Sequence, residues 1–433
     1  MAFSMFHLVA AAIVLVAVLV LVVARPRGLH VAWAAGGGAA LTLALGLLSL
    51  PTLGAIFGAT WDAAATLIAL FILSEALDAN GFFTWAALWL ARLADGSGWR
   101  LYALALLLTT GVAALLANDG AVLMLTPIFA VLLTKIYPDA RFRLPFLFAV
   151  GFFADAMSAL FVPSNLTNII LADANHLAFL SVTAWMALPM LCVFAVAGGC
   201  FALRFRSSLR KPYDTRLLTD PRAAIHDPLV FWAGWAALGG LVLGYIIGGE
   251  LRLPISLVAG TAALAMLALT HARRLRSAPV MLGAAPWSIL IYALGMFVVI
   301  TAAFNAHALD FIIQPVRASA MGAGDTGVLT AGSILALLSA SVNNLPATLI
   351  GTLTLHTTIH PAHIAIYAML LGVDIGPKLT PFGSLATLLW LGILQRHGIR
   401  ISWGGYLREN WWVALLALAA AFAGLLVMGA LVR

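Results

Sequence analysis

Ten apolar runs recur along this 433-residue chain, at roughly 5–24, 29–49, 62–91, 143–172, 178–203, 229–249, 253–271, 279–303, 361–393 and 411–432. A helix needs about 20 such residues to cross a bilayer. No water reaches the backbone at that depth, so each run must close its own hydrogen bonds as a helix. The chain therefore reads as an all-α polytopic membrane protein. Its 9% of charged residues and mean hydropathy of +1.06 agree, since a soluble domain carries about 25% charged residues. No polar block is long enough to fold alone, which leaves one membrane domain. The first run has no A-x-A-like cleavage site and leads straight into Arg25 and Arg27, as a retained span would.

Two stretches differ from the spans. Residues 101–135 are interrupted by Asn118-Asp119-Gly120, and residues 321–357 by Asn343-Asn344-Leu345-Pro346. Each reads as a re-entrant hairpin with a polar tip. The span after each hairpin is broken as well: 143–172 at Pro163-Ser164-Asn165-Leu166-Thr167-Asn168, and 361–393 between Gly376 and Ser384. Irregular backbone persists at membrane depth only where protein buries it or it lines a wet cavity. The halves 1–203 and 229–433 thus share one order of three spans, a hairpin, a broken span and a last span, joined by the polar segment 204–228. Five spans per half is an odd number, so the second half enters the membrane with opposite polarity. Two inverted repeats of five transmembrane helices are the architecture of a secondary transporter, whose site forms where broken helices meet near the midplane.

Charge tests that reading separately, because no charge was needed to place the spans. With residue 1 outside and both hairpins returning to their own side, the cytoplasmic segments are 25–28, 92–100, 135–143, 204–228, 272–277 and 394–408. They hold 19 of the 23 Lys and Arg residues. Arg252, Arg317 and Arg433 fall outside, and Lys378 stays in the membrane. This is the positive-inside bias, and it accounts for the formal charge of +7 without a nucleic-acid partner.

Ionisable groups inside a bilayer are costly and so mark function or pairing. Asp119 lies at the first hairpin tip, Asp155 precedes the first break, and Asp374 and Lys378 flank the second. A proton-carrying role and a fixed hydrogen bond to unwound backbone both suit Asp119 and Asp155. Asp374 and Lys378, four apart, would pair if the helix continued past Pro377, as a structural pair or as part of transport. For coupling the order of candidates is therefore Asp119, Asp155, then Asp374. Glu75 and Asp78 read as an interfacial or packing pair.

The breaks also bring neutral polar groups: Asn118, Ser164, Asn165, Thr167, Asn168, Asn343, Asn344, Thr380, Ser384 and Thr387. Amides and hydroxyls both donate and accept, which fits an uncharged, hydroxyl-bearing solute. The alternative is that they only cap half-helices, and the two roles are compatible because a capped helix N-terminus is itself a ligand site. Cys192 and Cys200 lie eight apart in one run and cannot form a disulfide within a helix. His356, His360 and His363 straddle Pro361 in an external loop, where solvation accounts for them better than a metal site does. No Walker A sequence, no H-E-x-x-H pair and no Asp-rich diphosphate motif is present, so the expectation is a transporter with no cofactor, driven by an ion gradient or a partner.

The polar breaks carry a family resemblance. LANDGAVLMLTPI (Leu116 to Ile128), GFFADAMSALFVPSNLTNIILAD (Gly151 to Asp173), SVNNLPATLIGTL (Ser341 to Leu353) and GVDIGPKLTPFGSLATLLWL (Gly372 to Leu391) resemble the signature segments of the arsenite efflux permeases, the ArsB family of the ion transporter superfamily. The resemblance implies export of arsenite and antimonite across a bacterial inner membrane, coupled to protons, or ATP-driven where a soluble arsenite-stimulated ATPase docks on the cytoplasmic face. It names the solute, which spacing alone does not. Within the same superfamily, a sodium/proton antiporter or a sodium-coupled carboxylate carrier is the competing expectation. Sodium would favour carbonyl and carboxylate oxygens, and a carboxylate would favour cationic ligands such as Lys378.

The charge bias yields a direct test. On a background lacking Cys192 and Cys200, P212C is expected to resist an impermeant thiol reagent in intact cells and to react once the cytoplasmic side is exposed. Labelling of P212C from outside would reverse the topology.

Overall fold

The computed structural model describes residues 5–322, 324–358 and 362–432, and every regular element among them is helical. The first half opens with α1 (Met5–Ala24), α2 (Val31–Ala44) and α3 (Leu50–Ala79), followed by α4 (Phe82–Leu93). The hairpin is α5 (Gly98–Leu115) and α6 (Asn118–Ile136); the broken span is α7 (Ala140–Ala156), two 3₁₀ turns and α8 (Leu166–Ala174); α9 (Phe179–Arg204) closes the half. A short α10 (Arg206–Leu209) and two 3₁₀ turns lead to the second half. There α11 (Pro228–Glu250), α12 (Ile255–Ala272), α13 (Ala278–Ala284), α14 (Trp287–Asn305) and α15 (Asp310–Met321) precede the hairpin of α16 (Asp325–Val342) and α17 (Asn344–His356). The second broken span is α18 (His363–Ile375), a 3₁₀ turn (Gly376–Leu379) and α19 (Leu385–Arg396), and α20 (Trp403–Val432) ends the chain. Eleven helices among the described residues are long and apolar enough to cross a membrane.

Hydropathy misplaces the third span. The apolar run 62–91 is not one helix: α3 starts at Leu50, where Ser49 accepts from the Thr52 N–H (3.3 Å), and it ends at Asn80, before Gly81 turns the chain at φ +75°. A Cβ on Gly81 would collide with the Ala224 carbonyl, and the Asn80 amide bonds the Asp227 backbone in both directions (3.0 and 2.7 Å). The turn thus depends on a segment about 145 residues away, which no local window sees. The stretch after 303, which hydropathy assigns to no span, folds as α15. Both α4 and α15 have 12 residues and bury one apolar face, which makes them too short to cross a bilayer as helices.

Packing exchanges partners between the halves: α2 lies on α14 and α3 on α12, α6 on α19 and α8 on α17, while α9 lies along α20. Five of the six Lys/Arg-rich segments meet at one end of the molecule. The Tyr137 hydroxyl donates to the Lys211 carbonyl (2.9 Å), the Tyr213 N–H to Gly96 (3.0 Å) and Arg92 to Leu218 (3.3 Å). Arg273 pairs with Asp227 (2.6 Å), Arg276 with Glu75 (2.6 Å), and Glu409 with Arg204 (3.0 Å) and Arg408 (3.1 Å). Asp227 also caps α11, and the Arg273 guanidinium holds its carboxyl below the usual carboxylate range.

Around the second broken span, helices touch backbone to backbone. A Cβ on Gly372 of α18 would stand 2.2 Å from the Gly332 carbonyl oxygen of α16, and one on Gly376 would stand 2.5 Å from the Ala336 Cα. Backbone cannot rotate away as a side chain can. Gly372→Ala is expected to destabilise the protein by about 1–3 kcal/mol, the usual cost of overpacking. Gly111→Ala on α5, where a Cβ meets nothing within 4 Å, should stay within about 0.5 kcal/mol. Thermal unfolding of the two purified variants compares them directly, and equal midpoints would contradict the close α16–α18 contact.

Candidate functional site

Four helices begin around one small cavity. Asn118 and Asp119 open α6, Leu166 and Thr167 open α8 behind Asn165, Asn344 and Leu345 open α17 behind Asn343, and Leu385 and Ala386 open α19. Each start follows a break that the sequence forces, by the hairpin tips Asn118-Asp119-Gly120 and Asn343-Asn344-Leu345-Pro346 or by the prolines before Ser164 and Ser384. A helix start leaves N–H groups without intrahelical partners and carries the positive end of the helix dipole. Capping uses part of this capacity: Asn165 accepts from the Thr167 N–H (3.3 Å) and Ser384 from the Thr387 N–H (3.0 Å). The cavity wall is completed by Ile289 and Tyr292 of α14.

The cavity measures ≈ 30 Å³, space for about two waters. Its ionisable lining is one carboxylate, Asp119, and one phenol, Tyr292, with no cation. A larger groove of ≈ 580 Å³ between α11 and α12 is lined by aliphatic groups and glycines with Thr261 as its one hydroxyl, so it lacks the donors and acceptors a polar solute needs.

Beside the cavity lies a buried polar network that crosses between the halves. Asp155 and Asp374 both stand at the C-terminal ends of half-helices, α7 and α18, where the dipole is unfavourable to a negative charge. The N-cap of the other half answers each: Ser384 donates to Asp155 Oδ2 (2.5 Å) and Asn165 to Asp374 Oδ1 (3.0 Å). Asn118 adds a bond to Asp155 Oδ1 (2.8 Å) and Thr167 one to Asp374 Oδ1 (3.1 Å). Lys378, 1% exposed, gives its ammonium to Asp155 Oδ2 (2.5 Å). The i,i+4 spacing therefore misleads: Lys378 pairs across the halves and not with Asp374. The 3₁₀ turn Gly376–Leu379 is the reason, since it ends the α-helical register after Ile375 and turns Lys378 off the Asp374 face. Asp374 Oδ2 is left buried with no hydrogen-bond partner.

The remaining polar residues serve the breaks. The Ser164 hydroxyl lies within hydrogen-bond distance of the Ser158 and Phe161 carbonyls (2.5 and 2.7 Å), either of which can take its one proton, Asn168 donates to Ser158 (3.1 Å) and Thr380 to Ala340 (2.6 Å), and none of them lines the cavity. Asn343 holds φ +89°, a conformation that costs a non-glycine residue roughly 1–3 kcal/mol. Its side chain supports the strain by accepting from the Tyr292 hydroxyl (3.2 Å) and donating to the Phe382 carbonyl (3.3 Å). Tyr292 is the lining group that pattern reading passes over; its signal is a lone phenol inside an apolar run. Cys192 and Cys200 lie on α9, and neither lines the cavity. Among the described residues no group of His, Cys, Asp and Glu is arranged to hold a metal, and His360 lies outside them.

Residues 9–428 match the family of the arsenical pump membrane protein. The arsenical pump membrane protein of Yersinia enterocolitica is 37% identical over 95% of this chain and 97% of its own length. One from Escherichia coli is 36% identical over 94% and 96%. The solved YdaH transporter of Alcanivorax borkumensis, of unusual topology, covers 87% of each chain with a TM-score of 0.47 and 15% identity. A match that runs almost end to end and includes both hairpins and both broken spans means that the chain belongs to the arsenical pump membrane protein family.

Proposed function

We propose that this protein exports arsenite, and antimonite with it, from the cytoplasm of a bacterium across the inner membrane in exchange for protons. The observation that carries this reading is the convergence of four helix N-termini and their Asn side chains on one small cavity without a cation. Arsenous acid near neutral pH is an uncharged trihydroxide of four heavy atoms. Helix-start N–H groups and amide oxygens can receive and offer hydrogen bonds to its three hydroxyls, and the site has no thiolate that would hold arsenic too firmly for release. A carboxylate substrate fits less well, because it is larger and would meet Asp119 with no lysine or arginine in the lining. The relatives' names as arsenical pumps support the same solute.

The repeated order of elements and the gathering of basic segments at one end support two halves of opposite polarity, with 204–228 cytoplasmic and both termini periplasmic. Coupling then belongs to a carboxylate that can cross the membrane neutral. Asp155 is occupied by Lys378, whereas Asp374 is buried with amide and hydroxyl donors but no cation against it, where a proton is the cheapest partner. Asp374 therefore moves ahead of Asp119 as the proton carrier, and Asp155 becomes the fixed partner of the lysine.

Everted vesicles are expected to accumulate arsenite when a pH gradient is imposed, without ATP; accumulation only with ATP would assign the energy to a docked ATPase instead. Asn118→Ala, Asn165→Ala and Asn343→Ala should each weaken arsenite affinity roughly tenfold, the worth of one lost hydrogen bond to a buried group. If all three variants kept wild-type affinity, the solute would have to bind elsewhere.

Asp374→Asn should still equilibrate arsenite but lose gradient-driven accumulation. Asp155→Asn should instead lose folded protein, because removing one partner of a buried pair costs about 3–5 kcal/mol. Full accumulation by Asp374→Asn would remove that residue from coupling and return Asp119 to first place.

A further inference from the structure

The ammonium of Lys378 is surrounded as an inorganic cation would be. It lies 2.5 Å from Asp155 Oδ2, 2.9 Å from the Thr387 hydroxyl and 3.4 Å from the Gly151 carbonyl. Three acceptors meet three N–H donors, so the group is fully satisfied. Ser384 closes the ring, donating to the same carboxylate oxygen (2.5 Å) and standing 2.9 Å from the Thr387 hydroxyl. A carboxylate, a backbone carbonyl and two hydroxyls are the oxygen donors that hard cations take. Moreover, the donors come from both broken spans, α7 and α19, so whatever sits among them ties the halves together.

The second feature is an asymmetry between the repeats. Asp155 and Asp374 occupy matching places at the ends of α7 and α18, yet the residue four positions on is Ala159 in the first half and Lys378 in the second. That single lysine crosses over to the first half's carboxylate.

We propose that Asp155, Thr387, Ser384 and the Gly151 carbonyl form a monovalent cation site which Lys378 fills with a tethered ammonium, and that this makes the protein indifferent to sodium. In this view the fixed lysine does the structural task that a bound sodium ion would otherwise perform, holding the α7 end against the α19 start. No sodium need enter or leave for the site to be complete. The proposal deepens the efflux reading by excluding sodium coupling, but its central test does not involve arsenite.

Deleting the lysine should uncover the site. Purified K378A is expected to be less stable than wild type in choline chloride and to recover in sodium chloride of equal ionic strength. Its midpoint should rise by roughly 3 °C or more and saturate with sodium concentration. Wild type should show the same midpoint in both salts. K378M, which refills the space without charge, and the double variant K378A with D155N should show no sodium response. Arsenite uptake by wild type should likewise be unchanged when choline replaces sodium. A folded K378A with no sodium response would overturn the proposal, as would failure of K378A to fold in either salt, or sodium dependence of the wild-type midpoint. Loss of arsenite transport with the sodium response of K378A intact would refute the efflux reading alone.

Discussion

A helix interrupted inside a membrane exposes backbone groups that have no water to bond, and this constraint organises the whole molecule. Four elements break off or begin at membrane depth, and every orphaned group must find a partner in protein. The polar side chains at the breaks are the direct answer. Some spend their hydrogen bonds on backbone carbonyls, Ser164 and Asn168 within the first broken span and Thr380 on the neighbouring α16. Others cap helix starts and still present an amide to the cavity. The cavity is thus a by-product of satisfying interrupted backbone, and its lining of amide and hydroxyl side chains follows from that origin.

The same constraint explains why the two halves hold each other. Asp155 and Asp374 each stand at a helix C-terminus, where the helix dipole repels a negative charge, and each is met by a donor from the N-terminal cap of the opposite half. The arrangement is nearly reciprocal, with one departure: Lys378 joins Asp155, and Asp374 receives no cation. One carboxylate is thereby committed to holding the structure, and the other keeps an unsatisfied oxygen.

Much of this was legible in the residue order. Runs of apolar residues require spans, the interruptions Asn118-Asp119-Gly120 and Asn343-Asn344-Leu345-Pro346 require hairpin tips, and the prolines and glycines of the broken spans prevent continuous helices. Five of the six loops that lysine and arginine mark out meet at one end. Where hydropathy failed, the reason is physical. It joined α3 to α4 because Asn80 and Gly81 are only two residues in a long apolar stretch, and their turn is held by Ala224 and Asp227 from the linker. It gave no element to α15, because a 12-residue helix with one apolar face has neither the length nor the uniform hydropathy of a span.

The sequence by itself determined that this chain must live in a membrane, where its helices break, and which polar residues sit at the breaks, because those properties depend on composition and local backbone chemistry. Only the tertiary structure decided which broken ends meet. Spacing placed Lys378 within reach of Asp374, yet a single 3₁₀ turn rotated it toward Asp155 on the other half, and Tyr292, hidden in an apolar run, became a wall of the cavity. Ion pairs and cavities form between residues more than 200 positions apart, and which of them come within 3 Å is set by how whole helices pack, a quantity that no window of the sequence contains.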